Sequence, residues 1–88
     1  MRREPDFFGE QDLDLVYIAK RLKDALRLEE ILTQAGLDYL VEPDHYTGGL
    51  LFRAQRIGAF FYVAPEAGEA VRATMQSAGY KPYNHENP

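Results

Sequence analysis

Residues 20–43 carry two hydrophobic periods in succession. Ala25, Leu28, Ile31, Leu32 and Ala35 recur at spacings of three and four, while Lys23, Arg27, Glu30 and Gln34 fall on the opposite side. That is the pattern of an amphipathic helix with one face for a core. Gly36 follows the last apolar position and predicts a left-handed stop, since a residue without Cβ takes positive φ without strain. Residues 37–42 then read as a strand entered at once, and Pro43, which brings no N–H to a ladder, is expected to end it.

The same reading extends in both directions. In residues 12–19, DLDLVYIA, alternation puts Leu13, Leu15, Tyr17 and Ala19 on one face and Asp14, Val16 and Ile18 on the other. Both faces are apolar, as in a strand covered on both sides or one whose second face meets a subunit or a ligand. Residues 44–49 are turn-rich, and Leu50 and Phe52 alternate with Leu51 and Arg53. Residues 44–55 therefore predict either a long hairpin or a loop with apolar groups. Residues 56–64, RIGAFFYVA, make the strongest strand, with Ile57, Ala59, Phe61 and Val63 opposite Gly58, Phe60 and Tyr62. Pro65 opens a second helix whose stripe is Ala67, Ala70, Val71, Thr74 and Ala78, flanked by Met75 and stopped by Gly79. Residues 80–83 suit a short edge strand. Residues 1–11 read as an arm anchored by Phe7 and Phe8, residues 12–83 as one domain and residues 84–88 as a polar tail.

The order strand, helix, strand, strand, helix, with a short final strand left open, predicts an α+β chain. The arrangement is the ferredoxin-like split βαβ, an antiparallel sheet with both helices on one face. The other face would carry Val16 and Ile18, or Leu15 and Tyr17, beside Phe60 or Phe61. Such a surface is apolar enough to predict a homodimer through it. The expected interface residues are Val16, Ile18, Phe60 and Tyr62, with Leu50 and Phe52 from the following segment.

Composition narrows the chemistry. At 88 residues the chain makes one domain with a single modest core. It has no cysteine, which removes disulfides, thiolate metal sites and cysteine nucleophiles. There is no apolar run of membrane-spanning length and nothing like a secretion signal, so a soluble, cytoplasmic protein is expected. The net charge of -4 and a pI near 5.0 oppose non-specific binding to nucleic acid or anionic lipid. No nucleophile has a base beside it and no cofactor fingerprint occurs, so the chain reads as non-catalytic, without cofactor or metal.

Two places could bind a ligand. Lys20, Arg21 and Lys23, with Arg27 beyond, form a basic cluster at the start of the first helix, where the helix dipole already favours an anion. Glu42, Asp44, His45 and Tyr46 crowd the turn after the second strand, where carboxylates and an imidazole suit a cation or a proton, although a solvated turn has the same composition. A small-metabolite or anion sensor and a protein-binding module both fit. An RNA-recognition motif shares the element order, but Ala59 stands where a first stacking aromatic belongs and the chain is acidic.

The core residues also carry a family resemblance. Val16-Tyr17-Ile18-Ala19, Asp24-Ala25, Leu28-Glu29-Glu30-Ile31-Leu32 and Ala35-Gly36-Leu37, then Phe61-Tyr62-Val63 and Glu69-Ala70, resemble the prokaryotic signal-transducing domains of PII-like fold, over residues 13–78. The resemblance implies a bacterial regulatory module acting through protein contact. It defines no catalytic residue that could be carried over.

Overall fold

The computed structural model describes residues 1–48 and 54–83. The described residues form a small α+β structure of three antiparallel strands and two α-helices. The strands are β1 (Asp14–Ala19), β2 (Leu40–Gly48) and β3 (Ala54–Val63), and the helices are α1 (Leu22–Gln34) and α2 (Gly68–Ser77). The sheet order is β1-β3-β2, so the most aromatic strand lies in the centre. Both helices pack on one sheet face. Ala25, Leu28 and Leu32 of α1 and Val71 and Met75 of α2 share a core with Val16, Ala19, Tyr39, Phe61 and Val63.

The structure departs from the sequence pattern in three places. Val16 was expected beside Ile18 on the helix-free face, yet it is fully buried in the core. The cause is a β-bulge between Leu15 and Tyr17, opposite consecutive residues Tyr62 and Phe61. One extra residue reverses the alternation, so Leu15 and Ile18 share the open face with Tyr62 and Phe60, while Tyr17 and Ala19 turn toward the helices. Secondly, Pro43 does not end β2, which pairs with β3 from Leu40 to Gly48. β2 is the strand at the far side of the sheet from β1, and proline is tolerated where its nitrogen faces away from the ladder. The hairpin alternative for the segment after residue 43 is therefore the one found at residues 44–48 and 54–58. These residues form a two-stranded ribbon beyond the end of β1; Leu50 and Phe52 lie outside the described residues. Thirdly, α2 starts after a short 3-10 turn (Pro65–Ala67) and buries Gly68, Val71 and Met75, leaving Ala70 exposed.

The chain ends of the domain dock on it. The N-H of Arg3 donates to Tyr39 O (2.7 Å) and the N-H of Tyr39 donates to Met1 O (3.1 Å), so the arm lies along the start of β2. Phe8 is buried while Phe7 stays exposed. Among the described residues 80–83 form no strand, but the Tyr83 N-H donates to Val16 O (2.6 Å) at the bulge of β1. Gly36 and Gly79 both take positive φ after their helices, as their positions require. Among the described residues no helix is long and apolar enough to cross a membrane.

Candidate functional site

The junction between β1 and α1 is where side chains of several elements converge. β1 ends at Ala19, Lys20 and Arg21 form the turn, and α1 begins at Leu22 with no side-chain cap on its first N-H groups. Those N-H groups have no intrahelical acceptor, and they give this end of the helix its positive character. Asp24, in the first turn, complements it.

A cleft of about 600 Å³ opens here, lined by Tyr17, Ile18, Lys20, Arg21, Asp24, Tyr46, Lys81 and Tyr83. Three cations and one carboxylate give its wall a formal charge of +2 in a chain whose total is -4. Tyr46 arrives from the ribbon of β2, and Lys20 Nζ stands 5.4 Å from its ring centroid, within cation-π range. Tyr46 can lie there because Gly58, on the neighbouring strand, has no side chain. A Cβ at residue 58 would stand 3.1 Å from the Tyr46 ring, 3.1 Å from Ile18 Cγ2 and 3.2 Å from Ala19 O.

Tyr17 forms the inner wall. Its ring meets Tyr80 edge-on at 5.3 Å between centroids, and the Tyr80 hydroxyl donates to the backbone oxygen of Asp24 (3.2 Å). Burial first, then the charges of Asp24 and Tyr80, push the Tyr17 phenol above its ordinary range. It therefore remains a neutral hydrogen-bond donor at neutral pH. Ion pairs among the described residues join the Met1 amino group to Asp38 (3.8 Å), Arg2 to Glu29 (3.5 Å), Arg3 to Asp38 (2.9 Å) and Arg72 to Asp14 (3.6 Å). None of them uses Lys20, Arg21 or Lys81, so the cations of the cleft keep their charge for another partner.

The residues singled out in the sequence divide between this cleft and elsewhere. Lys20, Arg21 and Tyr46 line it together, which joins Tyr46 to the basic helix start and parts it from Glu42, Asp44 and His45. Lys23 is exposed and does not line it. Glu42 and Asp44 are exposed on the open sheet face and His45 on the other, because alternation separates them. The Asp44 carboxylate accepts the His45 N-H (2.7 Å). Among the described residues no group of three His, Cys, Asp or Glu side chains is arranged to hold a metal ion. Tyr17, Asp24, Lys81 and Tyr83 were not foreseen as site residues, since nothing in local spacing marks them. Only the return of the chain from α2 past β1 brings residues 81 and 83 to residue 20.

The open sheet face holds Ile18, Phe60 and Tyr62, as well as Leu15 and Leu40. Phe60 and Leu40 are only 8% and 6% exposed. Phe60 stacks on Tyr62 at 6.5 Å. Burial, and then Asp44 and Glu42, raise the Tyr62 phenol above its ordinary value.

Comparison of this chain with protein-family models, with curated proteins and with solved structures finds no match.

Proposed function

We propose that this chain is a non-catalytic regulatory module that senses a small anion in the cleft at the start of α1. The observation that carries this reading is the convergence of Lys20, Arg21 and Lys81 with Tyr17, Tyr46 and Tyr83 around one concavity. Cations supply attraction for a phosphate or carboxylate, the positive end of α1 adds to it, and phenols add apolar walls with polar tips. The strand and helix order supports a ferredoxin-like split βαβ as the parent arrangement. The resemblance to PII-like signal-transducing domains supports a regulatory rather than a chemical role.

A thermal-shift series with phosphate, pyrophosphate, sulfate and small carboxylates tests the reading. At 100 times its dissociation constant a ligand stabilises by about 2.7 kcal/mol, which for a domain of this size raises the melting temperature by roughly 10 °C or more. A Lys20→Ala, Arg21→Ala double variant should lose that rise. Equal stabilisation of the variant and the parent would place the anion elsewhere.

RNA binding gains no comparable support. β1 presents Leu15 and Ile18, not an aromatic ring, on the open face, and Phe60 on β3 is nearly covered.

A further inference from the structure

Large exposed apolar side chains of the described residues lie away from the open sheet face. Leu22 and Ile57, 74% and 66% exposed, line a groove of about 390 Å³ between the start of α1 and the ribbon. Val41 and Pro43 also line it, and Lys20, Arg21, Arg2 and Glu29 are its charged residues. Because Arg2 already pairs with Glu29, the net charge of the groove comes from Lys20 and Arg21.

The other end of the molecule, where β1 begins and β3 finishes, carries the complementary set. Asp6, Glu10 and Asp12 of the arm are exposed there, as is Glu66. Phe7 stands among them, 52% exposed. Arg3 covers one side of its ring at 4.4 Å and is itself paired with Asp38 at 2.9 Å. The chain therefore has an acidic end bearing an exposed aromatic ring and a basic end bearing an exposed apolar groove.

We propose that a second copy of this chain seats its acidic Phe7 end in the Leu22 and Ile57 groove of the first. Phe7 leaves water against Leu22 and Ile57, while the arm carboxylates meet Lys20 and Arg21. The contact joins two different patches, so it either closes reciprocally in a dimer or continues head to tail. Opposite charges at the two ends orient the approach.

Sedimentation of the whole chain across a concentration series, with Phe7→Ser and Ile57→Asp variants, tests this. Both positions are exposed and neither lines the tyrosine cleft, so the variants are expected to fold and, as monomers, to keep the anion response, whereas in the associated wild type the arm carboxylates and an anion compete for Lys20 and Arg21. The wild type is expected to associate as concentration rises and to return to monomer near 1 M salt, where the screening length is about 3 Å. Each variant alone should weaken association at least 10-fold. An equimolar mixture of the two should recover a complex, since one supplies an intact Phe7 and the other an intact groove. A wild type that stays monomeric to about 1 mM, an association that either substitution leaves unchanged, or a mixture that recovers nothing would each overturn the proposal.

Discussion

The Tyr46 ring rests over Gly58 on the adjacent strand, close enough that a β-carbon at residue 58 would come within 3.1 Å of it. The absence of one methyl group thus sets where Tyr46 stands, and through it the cation-π contact with Lys20. Gly58→Ala should displace the ring, because the third neighbour, Ala19 O, belongs to the backbone and yields less readily. Overpacking of this kind costs about 1–3 kcal/mol. The expected result is a modest loss in denaturant stability together with weaker anion stabilisation. A variant that keeps wild-type anion response would separate Tyr46 from the site.

Tyr39 anchors α1 to the start of β2 from inside the core. Its hydroxyl donates to Glu29 O (3.0 Å) and lies 2.9 Å from Thr33 Oγ1. A phenol has one proton, so the Thr33 hydroxyl donates the second bond. Tyr39→Phe keeps the ring stacked on Phe61 but leaves the Glu29 carbonyl without this donor. The loss should be about 1–2 kcal/mol by chemical denaturation, with no effect on anion binding. A neutral substitution would show that water replaces both bonds.

Tyr17, Tyr39, Tyr62 and Tyr80 all have phenols raised above the ordinary value of 10.0, chiefly by burial. In the unfolded chain these groups ionise near pH 10, whereas in the fold they hold their protons to higher pH. The folded state then binds more protons, and stability falls as pH rises. The contribution is complete below pH 10.0 and disappears as pH climbs through the raised values. Denaturant midpoints should hold steady up to about pH 9.5 and decline above about pH 10. Tyr39→Phe should decline less steeply. Midpoints that rise in that window contradict the burial of these phenols.

The outer edge of β2 is blunted against strand addition by its own residues. Tyr39 directs its backbone N-H and C=O to the arm, so Val41, Pro43 and His45, at the same parity, also face outward. Pro43 has no donor, and the His45 N-H is taken by Asp44 Oδ1. A Pro43→Val, Asp44→Ala double variant restores two outward donors on an edge strand. Combined with Ile57→Asp to silence the groove, it should form aggregates with an intermolecular β-sheet signal in the infrared. If Ile57→Asp alone aggregates equally, the edge residues are not the barrier.

The two helices and three strands were legible because α1 and β3 each keep one period through their length. Val16 was not, because nothing in DLVYIA marks the bulge that turns it inward. Nor was the run of β2 past Pro43, because proline argues against a paired strand, and only the sheet order shows that its nitrogen lies at an edge. Lys20 and Arg21 were legible as a basic helix start. The rest of the cleft wall, Tyr17, Lys81 and Tyr83, depends on tertiary return of the chain, which local pattern does not encode.

Titration of inorganic pyrophosphate followed by amide NMR shows whether the cleft at the start of α1 holds an anion. Saturable shifts are expected at Lys20, Arg21, Tyr46 and Lys81, lost in the Lys20→Ala, Arg21→Ala variant, with the arm beside Tyr39 unmoved. Small shifts that never saturate, spread over all exposed lysines and arginines and unchanged in that variant, would contradict it.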